Sequence, residues 1–231
     1  MESEKSSIFY MQVIQELSKY VTDHKKAFVE NVLSQRTRFV TLVMEDIYQT
    51  QNASAVLRTV ECFGLQDIHI VENEGAYTLN KRVLKGADKW LTINQYKTAS
   101  SNNTKVCFEK LKEEGYTILA AVPSHEAISI QDYKIESKVA VVIGNELHGL
   151  SVYAKEHADQ HVRIPMYGFT ESLNLSVSAA ICLNELIPQL RGSKLNWQLP
   201  EAEKSALRLD WYRKIVKGSA IIEKQFLKSI K

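Results

Sequence analysis

The chain lacks most of the features that announce the commoner chemistries. Its nine glycines never fall as G-x-G, so the glycine-rich turn that grips a dinucleotide's pyrophosphate is missing. The histidines show no H-E-x-x-H spacing, and Cys62, Cys107 and Cys182 share no metal-ligand spacing. No metal site is therefore expected. Without a G-x-S-x-G, acyl transfer from a serine elbow has no support. No apolar run approaches the roughly 20 residues that span a bilayer. The opening MESEKSSIFYMQ is acidic where a signal peptide would be apolar. An odd number of cysteines suits reduced thiols used for packing, which points to the cytoplasm.

What remains is an ordinary folded composition. With 231 residues, 45% hydrophobic and 24% charged, the chain can bury one good core with a modest appendage at either end. Net charge is only +2, but it is unevenly placed. From Arg191 onward ten Lys/Arg face four Asp/Glu, a net +6, while residues 1–40 carry +1 and the middle −5. A basic tail on a mildly acidic body suits a polyanion contact and equally suits a solvated helical surface.

Periodicity places the elements. Ile8, Met11, Ile14, Leu17 and Val21, then Phe28 and Val32, predict one or two helices. RFVTLVMED (Arg38–Asp46) reads as a strand, followed by a helix ending near Gly64 and a strand at Asp67–Glu72. A helix-like stretch at Leu79–Ala87 precedes the strand-like Trp90–Tyr96. Thr104 is a plausible cap for a helix Lys105–Glu114 that Gly115 ends. Tyr116–Val122 and Lys138–Ile143 are buried-looking strands, Ser151–His157 a short helix and His161–Ile164 a last short strand. A long apolar helix starts at Ser172 or Asn174 and runs to about Leu190. After Gly192 the chain turns into basic amphipathic helix, with Leu207, Trp211 and Ile215 on one side. This alternation predicts an α/β fold with a mainly parallel sheet covered by helices on both faces.

Three motifs stand where strands hand over to loops or helices: NASAVLRT (Asn52–Thr59), VVIGNELHGLS (Val141–Ser151) and IPMYGFTESLNLSVSAA (Ile164–Ala180). Such loops at the C-terminal ends of strands suit a ligand crevice. Gly144 permits close backbone approach by a ligand, and Pro165 removes a donor so that nearby carbonyls are left to accept. Asn52, Ser172 and Asn174 are good helix caps as well as candidate ligand contacts. Arg58 lies in a helix apolar enough to pack on the sheet, where a guanidinium needs an anion: a phosphate, a cofactor carboxyl, or Glu146. His148 is either a loop residue or a catalyst.

In order and residue type the three motifs resemble those of the SpoU (TrmH-like) RNA ribose 2′-O-methyltransferases of the SPOUT superfamily, over roughly Thr37–Leu190. The resemblance implies S-adenosyl-L-methionine as cofactor, a C-terminal trefoil knot, and a homodimer with the site near its interface. It implies cofactor contacts by backbone at Ala121, Gly144, Ile164 and Leu173, and a polar catalytic group of Arg58, Asn52, Glu146, Ser172 and Asn174. Helical additions at 1–36 and 192–231, flanking a methyltransferase domain at 37–191, resemble those of the tRNA guanosine-18 type within the family. On that reading Lys204, Arg208, Arg213, Lys214 and Lys217 would contact tRNA phosphates. Trp197, Trp211 and Tyr212 would stack on bases or pack the tail. The alternatives are the same reaction on ribosomal RNA or the tRNA anticodon loop, and a catalytically silent RNA-binding module.

Overall fold

The computed structural model describes residues 2–74 and 77–229. They form two compact units, Thr37–Trp197 and a second one made of the residues up to Arg36 together with those from Gln198 onward.

The second unit is helical: α1 (Glu2–Ser18), α2 (Asp23–Gln35) and, from the far end of the chain, α8 (Glu201–Ile215) and α9 (Ser219–Ser229). Val13, Leu17, Val21, Val29 and Leu33 are buried here, as are Leu207, Leu209, Trp211, Tyr212 and Val216. Met11 and Phe28, part of the apolar series read from the sequence, lie more than half exposed at 55% and 54%. The packed stripe therefore runs through Val13 and Val29 instead. Arg36, at 1% exposure, lies 5.4 Å from the Trp211 ring centroid, a cation–π contact inside this unit.

The larger unit holds a sheet of seven strands: β1 (Val40–Glu45), β2 (Asp67–Val71), β3 (Thr92–Tyr96), β4 (Tyr116–Ala121), β5 (Ile128–Ser129), β6 (Lys138–Ile143) and β7 (Gln160–Arg163). Their order is β3-β2-β1-β6-β4-β7-β5, and every pairing is parallel. Its helices are α3 (Thr50–Cys62), α4 (Lys81–Leu84), α5 (Asn103–Glu113), α6 (Val152–His157) and α7 (Leu175–Gly192). Strand side chains alternate between faces. Leu42, Met44, Val139, Val141 and Leu119 join Val56, Leu57 and Val60 of α3 and Leu183 and Leu186 of α7 in one layer. Val43, Ala140, Val142, Ile118 and Ala120 meet Phe108 and Leu111 of α5 and Ala154 of α6 in the other. With both faces covered, every residue of β1 is buried, which explains the near-continuous apolar runs.

Local details differ from the sequence reading for identifiable reasons. Asn102, not Thr104, caps α5, accepting from Lys105 N at 2.9 Å. Thr104 is buried and donates to the Glu45 carboxylate. The stretch Leu79–Ala87 yields only the short α4, because Lys85 (φ 51°) and Gly86 (φ 84°) take left-handed conformations that end it. Residues 192–197, assigned to the extension from sequence, belong to the α/β unit. Leu195 and Trp197 pack on its core, and Thr37 Oγ1 donates to Trp197 O at 2.6 Å. No helix among the described residues is long and apolar enough to cross a membrane.

Candidate active site

A cavity of about 920 Å³ opens at the C-terminal ends of β4, β6 and β7, where their loops meet the first turns of α3 and α7. Ala121, Gly144, Ile164 and Leu173 all line it, as do Asn52, Glu146, Ser172 and Asn174. The apolar side is supplied by Ile143, Val162, Leu175 and Cys182. Burial pushes the Cys182 thiol up to about 12, so at neutral pH it is a packing group and no nucleophile.

Gly144 serves its own loop more than a ligand. A Cβ there would sit 2.4 Å from Gly149 C and Leu150 N, and 2.5 Å from Gly149 O. The close approach expected at this position is made by the chain itself. Asn145 N donates to Gly149 O at 3.0 Å and Gly149 N returns the bond at 2.9 Å. Gly149, at φ 68°, supplies the left-handed turn that closes the loop.

On one rim the motifs converge through side chains far apart in sequence. Asn52 Nδ2 donates to Glu146 Oε1 at 2.8 Å and to Gln49 Oε1 at 2.9 Å. Asn174 Nδ2 donates to Asn52 Oδ1 at 3.1 Å. Asn174 also caps α7, its Oδ1 accepting from Ser176 N at 2.9 Å. Asn52 does not cap α3; Gln49 occupies that position and Asn52 stands in the first turn. The result is a chain of amides ending on one carboxylate, 9% exposed at Asn52, and suited to holding a polar group at the cavity mouth.

Arg58 does not join this group. It is exposed and absent from the cavity lining, and among the described residues Glu146 is met from α3 by Asn52 instead. The reason is helical phase. Ala53, Val56, Leu57 and Val60 form the packed stripe, while Gln51, Ala55, Arg58 and Cys62 follow one another at helical spacing on the outer side. The expectation of an Arg58 packed on the sheet is corrected accordingly.

In the helical unit, four of the five candidate RNA contacts face carboxylates. Arg208 bonds Glu30 through Nε at 2.5 Å and Nη2 at 2.7 Å, and Arg213 bonds Glu223. Lys214 pairs with Asp210 at 2.5 Å and Lys204 lies 3.9 Å from Glu201. Lys217 is exposed. Trp211 and Tyr212 are 2% and 3% exposed, and half-buried Trp197 packs on the α/β core. All three pack, and none is presented for stacking.

Several site residues escaped the sequence reading. Gln49, Lys155 and His161 line the cavity, beside His148, which the sequence already singles out. His157 and His161 stand four apart, but on different elements: His157 stacks on Tyr153 at 3.9 Å, and His161 Nε2 lies 2.8 Å from Lys155 O. Buried Glu45 accepts from Ser151 N and Ser151 Oγ, each at 2.8 Å, and so fixes the end of the Gly144 loop. Its sole sequence signal is a carboxylate at the end of an otherwise apolar strand.

The family model of the SpoU rRNA methylases matches residues 39–184. A Borreliella burgdorferi protein named tRNA (guanosine(18)-2′-O)-methyltransferase is 45% identical over 207 residues, 90% of this chain and 93% of its own. A Thermus thermophilus protein of the same name is 30% identical over 164 residues, covering 71% and 82%. Among solved structures, the Aquifex aeolicus TrmH/SpoU tRNA modifying enzyme aligns with a TM-score of 0.72 at 27% identity, over 83% of this chain and 96% of that one. With all three motifs gathered at one cavity, and relatives matched across most of their length, this chain belongs to the SpoU methylase family.

Proposed function

We propose that this chain methylates the ribose 2′-hydroxyl of guanosine 18 in the tRNA D-loop, in the cytoplasm, with S-adenosyl-L-methionine as donor. The observation that carries the reading is the shared cavity. Residues from three separated motifs line one space of about 920 Å³, large enough for a nucleoside-sized cofactor. The relatives named for guanosine 18 support the substrate.

The residues present fit the cofactor. Gly144, Ala121, Ile164 and Leu173 offer backbone at the strand ends beside the apolar surface of Ile143, Val162 and Leu175, a setting for an adenosine. Bound there, the cofactor supplies an activated methyl group on a sulfonium. Asn52, Glu146, Ser172 and Asn174 make the polar rim that receives and orients the ribose. Arg58 belongs to the site of a second copy. In a homodimer the outer face of α3 would turn its guanidinium toward the partner's cavity, to hold a phosphate and the developing 2′-oxyanion. A guanidinium is too weakly acidic to serve as a free base. Exposed Leu147 (79%), Tyr167 (96%) and Phe169 (110%) beside the cavity support a covered surface there. The sheet order, in which β4, β5, β6 and β7 interleave, suits a chain threaded as a trefoil knot.

Incubation with labelled S-adenosylmethionine and unmodified tRNA, followed by mapping of the modified nucleotide, tests the reading. Label on the guanosine 18 ribose is the expected result. Label in a base, in the anticodon loop or on ribosomal RNA alone would overturn the substrate, and no label at all would favour a silent RNA-binding module.

A further inference from the structure

Glu146 owes its place to a neighbour that the proposed chemistry does not use. Asn145 is 7% exposed, and both the oxygen and the nitrogen of its amide are engaged. Oδ1 accepts from Leu147 N at 2.7 Å and from His148 N at 3.2 Å, while Nδ2 donates to Asp46 O at 2.8 Å. Asp46 is itself held in a left-handed conformation, φ 51°, with its N–H on Val71 O at 3.0 Å. Its carboxylate accepts from Asn73 N at 2.7 Å and Glu74 N at 3.0 Å. Since Glu45 holds Ser151 at the loop's other end, two consecutive residues closing β1 grip both ends of the loop that carries Glu146. From Asp46 the chain runs straight on to Gln49 and Asn52, and Asn52 Nδ2 reaches Glu146. The hydrogen bond from Asn145 to Asp46 thus closes a ring through Asp46, Asn52, Glu146 and Asn145.

We propose that Asn145 is a positioning residue that sets the Glu146 carboxylate against Asn52, and through it fixes the rim that receives the ribose. The inference rests on the ribose-methylation reading above. Only an amide satisfies the position, because it must accept from two backbone N–H groups and donate to a carbonyl at once. Aspartate keeps the acceptors but points an anion at Asp46 O, and serine is too short to span both.

The experiment is a double-mutant cycle of Asn145→Asp and Glu146→Gln, read as kcat and KM for tRNA at saturating cofactor, with melting temperature and cofactor affinity measured alongside. Asn145→Asp is expected to lower kcat about tenfold or more, with KM and cofactor affinity within about threefold of wild type. Added to Glu146→Gln, it is expected to produce no further fall. Unchanged kcat, or losses that multiply, would overturn the role. Should Asn145→Asp fail to fold, Asn145→Ser carries the same cycle, since it too removes the donor to Asp46. A wild-type chain inactive on any tRNA would overturn the ribose reading and this role with it; an active wild type with multiplying losses overturns this role alone.

Discussion

Substituting Gly144 with alanine tests the architecture of the cavity with one methyl group. The added Cβ would meet three backbone atoms of Gly149 and Leu150 at 2.4–2.5 Å, about an ångström inside van der Waals contact. Backbone cannot swing aside as a side chain does, so the 144–150 loop must shift as a body. Gly144 does not take a left-handed φ, so alanine there carries no conformational penalty and the whole effect is steric. Overpacking of this kind costs about 1–3 kcal/mol, or roughly 2–12 °C of melting temperature for a chain of this size. The displaced loop lines the cavity through Gly144, Gly149 and Leu150 where the cofactor's backbone contact is proposed, so cofactor affinity should fall about tenfold or more, equivalent to at least ~1.4 kcal/mol. Gly149→Ala is the control. At φ 68° with open space around it, it incurs about 1–2 kcal/mol of backbone strain without a clash, and cofactor affinity should stay within about threefold. Calorimetric titration with S-adenosylmethionine and thermal unfolding of both variants decide the matter. Wild-type affinity in Gly144→Ala, or equal losses in the two variants, would refute the packing argument.

Arg58→Ala should abolish transfer while leaving cofactor affinity and melting temperature at wild-type values, because the side chain is exposed and outside the cavity; retained activity removes Arg58 from the mechanism. Mixing inactive Arg58→Ala and Asn174→Ala subunits should restore about a quarter of wild-type activity if the partner supplies the arginine, and none if each site is built from one chain. His69 is buried, and burial, with Lys110 and Arg38 nearby, lowers its pKa to about 4. The folded state keeps the imidazole neutral where the unfolded chain protonates it, so its stability is intact above pH 6.5 and falls by up to about 3 kcal/mol toward pH 4. His69→Gln should flatten that part of the pH–stability curve, measured by denaturant unfolding. Lys217→Ala should leave melting unchanged and reduce the salt dependence of tRNA binding by about one ion. Arg208→Ala should cost about 1 kcal/mol of stability through the loss of its bidentate Glu30 pair.

The strands were the most legible part of the molecule. VTLVME and KVAVVI are β-branched runs that a doubly covered sheet demands, and the second and third motif loops do meet Asn52 of the first motif at one cavity. Helix phase was less legible. In α3 the run Ala53, Ser54, Ala55 offers little contrast between faces, so Arg58 reads as packed when it is exposed. Caps misled where several polar residues follow one another, as at 102–104, where Thr104 reads as the cap and Asn102 is the one used. Least legible was the scaffold behind Glu146. Asn145 reaches Asp46 across 99 positions and Ser151 reaches Glu45 across 106, and no periodicity encodes such pairings. The basic tail showed its charge but not the partners of its arginines, Glu30 and Glu223.

The helical unit unites stretches on either side of the α/β unit, and this has a cost during synthesis. α1 and α2 leave the ribosome well before the helices they pack on, α8 and α9. At about 5–20 residues per second, the apolar stripe of Val13, Leu17 and Val21 waits on the order of ten seconds or more for its counterpart. A nascent chain stalled after Trp197 would therefore present a complete α/β body with an unsatisfied sticky leader, a natural client for chaperones and a ready seed for aggregation.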